Sequence, residues 1–158
     1  CFSGNRRGLS EEEGLEQAVK ALQPMVKLAE AHGVVLQMEL FNSIVDHPDY
    51  MADSSRWGIE LARALNSPSF KLLYDIYHMQ IMEGNLVANI KENHEWYGHY
   101  HVAGVPGRNE PWEAQEINYP AVMTAIESTG FNGYVALEYL FTTNKKESMA
   151  RSFTEFIR

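Results

Sequence analysis

A single cysteine, Cys1, stands in the 158 residues, which rules out an internal disulfide and fits a reducing compartment. No basic residue is evidently paired with it, so it is expected as a buried strand-end side chain rather than a nucleophile. No apolar run approaches the ~18 residues that cross a bilayer, and nothing resembles a basic, apolar signal peptide. Positive charge is also scarce: 13 Lys and Arg face 21 Asp and Glu, a net charge of −8. That argues against a nucleic-acid backbone as partner, which requires clustered positive charge. A phosphorylated or carboxylated small molecule needs only one or two well-placed basic groups and stays compatible. No low-complexity tract or Ser/Pro-rich linker divides the chain, so residues 1–158 are expected to form part of one domain. The expected setting is the cytoplasm, with a small-molecule substrate and no membrane; a homo-oligomer is compatible with the composition.

What is present is a repeated unit. Ser10 and Glu13 form a capping box that opens an amphipathic helix with Leu15, Val19, Leu22, Val26 and Ala29; Gly33 stops it, and Pro24 is expected to kink it. The apolar run 34–38 then leads into Glu39. A second helix follows Asp53, with Trp57, Leu61 and Leu65 on one face, and the run 70–74 ends in Asp75. A third helix, about 85–96, yields at Gly98 to a short run ending near His101. A fourth starts at Asn118 with Pro120 in its first turn and stops at Gly130; the strand 134–137 delivers Glu138. A last helix opens at Asn144 and is expected to turn Met149, Phe153, Phe156 and Ile157 inward.

Strand-then-helix alternation signifies an α/β fold with a parallel sheet, and short apolar strands suit burial on both faces. The strand-end residues are spaced by 36, 26 and 37 positions, typical βα repeat lengths. A closed (β/α)8 TIM barrel needs about 250 residues. This chain supplies four strands and a stub at Cys1-Phe2-Ser3, so it is expected to be the C-terminal half of such a barrel, about strands five to eight with their helices. A smaller doubly wound sheet is the alternative.

Glu39, Asp75, His101 and Glu138 each follow an apolar run, where a lone charge is costly. At the C-terminal mouth of a barrel they would converge, and three bare carboxylates would resist ionisation together. A divalent cation resolves that conflict. Three carboxylates and one imidazole suit Mn²⁺, Mg²⁺ or Co²⁺, with Zn²⁺ also compatible.

The run Asp75-Ile76-Tyr77-His78-Met79-Gln80-Ile81-Met82-Glu83-Gly84 resembles the hydroxypyruvate isomerase family, within the xylose isomerase-like barrels. So do Pro106-Gly107-Arg108-Asn109-Glu110-Pro111, Glu116-Ile117-Asn118-Tyr119-Pro120 and the Glu39-x-x-Asn42 segment. The resemblance covers nearly the whole chain. It implies that Glu39, Asp75, His101 and Glu138 are metal ligands, that Glu39 and Glu138 move the proton, that His78 contacts a substrate oxygen, and that Arg108 lies near the substrate's acidic end. It also implies isomerisation of a hydroxy-carbonyl compound through an enediolate, hydroxypyruvate giving tartronate semialdehyde.

Two departures bear on substrate. His101 stands where bacterial hydroxypyruvate isomerases often carry Gln and where ketose 3-epimerases and inosose isomerases carry His. The loop Trp112-Glu113-Ala114-Gln115 differs from the family's Gly-rich version. The alternatives are therefore a ketose 3-epimerase or inosose isomerase, an endonuclease of abasic sites, which the acidic surface opposes, or a non-catalytic fragment. His32, His47 and His94 are set aside as loop or helix-surface residues and His99 as structural, while Phe41 and Trp112 are candidates for the pocket wall.

Overall fold

The computed structural model describes residues 1–112 and 114–156, with the side chain of Phe156 left aside. Helix α1 (Glu11–His32) begins at the capping box: the Ser10 hydroxyl accepts from Glu13 N and the Glu13 carboxylate accepts from Ser10 N. It runs unbroken through Pro24 and ends on Gly33, whose φ of 63° closes the last turn in the left-handed region that glycine enters without strain. Strand β1 (Leu36–Glu39) follows, then α2 (Ser55–Leu65) capped by Ser54, β2 (Phe70–Asp75), α3 (Ile76–Met82), α4 (Leu86–Asn93) with a 3-10 turn after it, β3 (Tyr97–Val102), α5 (Tyr119–Ser128), β4 (Tyr134–Leu137) and α6 (Lys145–Phe156). The strands pair in chain order, β1-β2-β3-β4, and every pairing is parallel.

The two faces of this sheet differ. Met38, Leu40, Phe70, Leu72, Tyr74, Tyr100 and Val102 point toward the helices and are buried, with Trp57, Leu61 and Leu65 of α2 packed into the same core. Burial of each such side chain contributes roughly 1.5–3 kcal/mol. Gln37, Lys71, Leu73, His99 and His101 alternate with them on the opposite face and are only half-buried. Among the described residues no helix is long and apolar enough to cross a membrane.

Three expectations need correction. Cys1 lies at the free edge of β1, where its amino group donates to Gln37 O at 2.6 Å and its carbonyl accepts from Glu39 N at 3.2 Å, but it is exposed because among the described residues no strand lies beyond it. Strand β4 is not buried on both faces: Tyr134 and Leu137 are exposed, with no strand beyond them among the described residues. Met149 and Phe153 of α6 are exposed as well, since this helix turns Ser148 and Ser152 inward instead. The segment after Asp75, to which the sequence assigned no element, is a helix, α3, capped by the Asp75 carboxylate, which accepts from His78 N at 3.0 Å. Ile157 and the Phe156 side chain lie outside the described residues, as does Glu113.

Candidate metal centre

Glu39, Asp75, His101 and Glu138 meet at the C-terminal ends of the four strands, and one donor atom from each lies within 4.8 Å of all the others. Parallel register explains the convergence. Asp75 pairs with His101, Ala136 lies opposite His101, and Glu138 follows Ala136 by two residues, just past the end of β4. Glu138 N donates to Val102 O at 3.1 Å, which carries the parallel ladder one residue past the strand. Alternation thus aims all four side chains at one point.

His101 Nδ1 lies 2.8 Å from Glu138 Oε2, 3.1 Å from Glu39 Oε1 and 3.6 Å from Asp75 Oδ2. One ring nitrogen can carry one proton, so three carboxylates compete for it. Burial lowers the His101 pKa, but the Asp75, Glu39 and Glu138 carboxylates outweigh it and raise it to about 10. Burial likewise pushes Asp75 up, yet His101, His78 and Arg108 bring its carboxyl down to about 2. Asp75 is wholly buried, whereas the Glu138 side chain is half exposed.

Arg108 is also drawn in. Its Nη2 donates to Asp75 Oδ2 at 2.7 Å and to Glu138 Oε2, and its guanidinium lies 4.8 Å over the Tyr77 ring. The residue holds a left-handed φ of 56° in the loop from Gly104 to Glu110, whose ends are tied by a Gly104 N to Asn109 O bond of 2.8 Å. Three carboxylates against one guanidinium and one imidazolium leave negative charge uncompensated and oxygen lone pairs in excess. A divalent cation fits that donor set, with Glu39, Asp75, His101 and Glu138 as the residues to hold it.

His78, expected to touch the substrate, sits in the first turn of α3 and is buried, with Nε2 3.0 Å from Arg108 Nη1. Burial is the main cause of its low pKa, about 4. The six residues given roles from the sequence, Glu39, Asp75, His78, His101, Arg108 and Glu138, therefore lie together. The aromatic set around them was missed in part: His47, set aside as a loop residue, stacks on Phe41 with ring centroids 4.1 Å apart, and Phe41 lies 4.9 Å from His78. The signal available was the proximity of Phe41, Asn42 and His47 in one loop directly after a site carboxylate. Trp112, by contrast, packs edge-on to Tyr139 and helps line a separate cleft of about 600 Å³ with Tyr119 and Met123, which contains none of the four.

Comparison with known proteins bears on the family and the fold. A family model described as xylose isomerase-like TIM barrel matches residues 1–158. Hydroxypyruvate isomerase of Escherichia coli is 32% identical over 140 residues, which cover 88% of this chain and 54% of that protein. The 2-oxo-tetronate isomerase of Cupriavidus necator is 32% identical over 111 residues, covering 70% and 42%. Among solved structures, an AP endonuclease of family 2 from Brucella melitensis superposes with a TM-score of 0.90 at 28% identity, over 99% of this chain and 59% of that one. The chain spans about half the length of the curated relatives it matches.

Proposed function

The chain belongs to the xylose isomerase-like TIM barrel family, and from that premise we propose that it is a metal-dependent isomerase acting on hydroxypyruvate or a close relative. The observation that carries this reading is the convergence of Glu39, Asp75, His101 and Glu138 within 4.8 Å, beside a buried histidine and a partly buried arginine. Isomerising an α-hydroxy carbonyl requires a proton to leave one carbon and return to its neighbour through an enediolate. Glu39 and Glu138 approach the same point from the first and last strands, so one removes the proton and the other, or the same one, returns it. When bound, a divalent cation supplies Lewis-acid compensation for the charge that develops on the substrate's two oxygens. His78, neutral at physiological pH, offers a hydrogen bond to one of those oxygens. Arg108 Nη2, released from Asp75 and Glu138, pairs with the substrate's carboxylate, while Nη1 stays beside His78. Phe41 and His47 wall the site on the His78 side and limit water there.

The same reading extends to architecture: this chain is the C-terminal portion of a closed barrel, strands five to eight. Cys1 hydrogen-bonded along the free edge of β1, the exposed Tyr134 and Leu137 on β4, and the half-buried face that bears the site all support it. A second reading, a ketose 3-epimerase or inosose isomerase using the same four residues, is favoured by the imidazole at position 101.

The protein, loaded with Mn²⁺, is to be given hydroxypyruvate and a panel of ketohexoses. Tartronate semialdehyde from hydroxypyruvate is the expected product. Turnover of the sugars alone would select the epimerase, and turnover of neither would overturn both.

A further inference from the structure

We propose that Asn42 is a positioning residue that fixes the His78 proton on Nε2, so that the ring presents an N–H donor, not an acceptor, to a substrate oxygen. The substrate half of this statement rests on the isomerase reading; the placement of the proton does not.

Asn42 is wholly buried and follows β1 by three residues. Its backbone N–H points at His78 Nδ1 from 3.1 Å. A backbone amide can only donate, so Nδ1 must offer its lone pair. The side chain adds a second donor. Asn42 Oδ1 accepts from Val45 N at 3.0 Å and Asp46 N at 2.9 Å, which fixes the orientation of the carboxamide. Its Nδ2 therefore faces His78 Nδ1 at 2.7 Å and also donates to Asp46 Oδ2 at 2.6 Å. The same Asp46 oxygen accepts from Tyr77 OH at 2.7 Å, so the carboxamide is held from both sides. With two donors on Nδ1, a doubly protonated ring is excluded and the neutral ring keeps its one proton on Nε2.

The consequence appears at the other nitrogen. His78 Nε2 lies 3.0 Å from Arg108 Nη1, and a guanidinium has no lone pair to give. The contact places two N–H groups face to face, so it is not a hydrogen bond. The conflict ends when an oxygen acceptor comes between them, where it would receive a bond from both. A carbonyl or enediolate oxygen meets that requirement, and the paired donors favour it most when it bears negative charge. Asn42 thus acts on the reaction through His78, without touching substrate.

The test is a long-range 1H–15N spectrum of the 15N-labelled protein, with the His78 signals identified by their loss in His78→Gln. A pyridine-like Nδ1 and a pyrrole-like Nε2 are expected; the reverse pattern overturns the proposal, and this measurement needs no variant of Asn42 to fold. In Asn42→Asp, a near-isosteric change, the carboxylate that replaces the Nδ2 donor can accept from Nδ1 and competes with the backbone N–H that remains, so the ring is expected to shift part of its population toward the Nδ1–H form. With it, kcat on hydroxypyruvate should fall about 10²-fold while KM changes far less. Turnover that survives the switch of tautomer overturns Asn42 as a positioning residue, and so does turnover lost with the ring signature unchanged. Should the wild-type protein leave hydroxypyruvate untouched, the isomerase reading falls and the spectrum still decides the proton's place.

Discussion

Two carboxylate-centred clusters adjoin the loop that carries Arg108, and they differ in how their oxygens are satisfied. Glu110 is a lone carboxylate ringed by neutral donors: Thr142 N at 3.0 Å, Thr142 Oγ1 at 2.7 Å, Thr143 Oγ1 at 3.4 Å and Ser148 Oγ at 3.1 Å. The Tyr139 hydroxyl, 2.8 Å from Ser148 Oγ, closes the ring. Every lone pair has a partner within the protein, so Glu110 has no need of a ligand. Glu39, Asp75 and Glu138 are the reverse, three carboxylates sharing one imidazole and one guanidinium. Burial alone does not distinguish a structural carboxylate from a ligand-holding one, since Glu110 and Glu39 are both buried. The supply of donors does.

The sharpest way to break this comparison is to neutralise one carboxylate in each cluster. Glu138→Gln is expected to abolish turnover, a loss of about 10²–10⁴-fold for removal of a proton-transfer group, with the metal retained more weakly. Glu110→Gln touches no reacting atom and should leave the metal affinity unchanged. Near-normal kinetics in Glu138→Gln would remove that residue from the mechanism.

A second test uses the ion itself. Divalent cation at a hundredfold excess over its Kd should stabilise the folded protein by about 2.7 kcal/mol, read as a rise in Tm that chelation reverses. The same rise is expected in Glu110→Gln and should be largely absent in Asp75→Asn. An equal rise in Asp75→Asn would place the ion elsewhere.

These contrasts also show what was legible in the residues. Four ionisable groups each closing an apolar run were readable because parallel register carries strand ends to one mouth, and sequence spacing preserves that. The boundaries of α1 were readable because Ser10, Glu13 and Gly33 act locally. Helix α3 was not, because Asp75 serves at once as its cap and as a site carboxylate, and at seven residues the helix is too short to show a clear apolar period. The roles of Asn42 and His47 were hidden since both depend on contacts with His78, 36 and 31 positions away in the chain. The exposure of Met149 and Phe153 escaped notice for a different reason: periodicity shows which helix face is apolar, not whether anything covers it.

Glu110→Gln should itself cost stability. The amide returns an N–H₂ toward Thr142 and Ser148, donors that lose an acceptor, and a cost of about 1–3 kcal/mol is expected in denaturant unfolding. A change within error would mean that the ring of hydroxyls is not a clamp.

The smallest expected effect is one of pH, and it isolates Glu110 from the site. Burial would raise its pKa, but hydrogen bonds from Thr142, the backbone and Ser148 prevail and bring it from 4.5 to about 2. A carboxyl depressed in the folded state binds protons more readily when unfolded, so acid favours unfolding. Its contribution is complete above about pH 4.5 and is lost as pH falls through about 2. Asp75 is depressed over a similar range, so the wild-type curve alone cannot isolate Glu110. The difference between wild type and Glu110→Gln can, because Asp75 is common to both. That difference should be flat from neutrality to about pH 5 and should shrink toward pH 2. A difference that stays constant down to pH 2 would show that the Glu110 donors hold a neutral acceptor as well as a charged one, and the contrast between the two clusters would then lie in geometry rather than in charge.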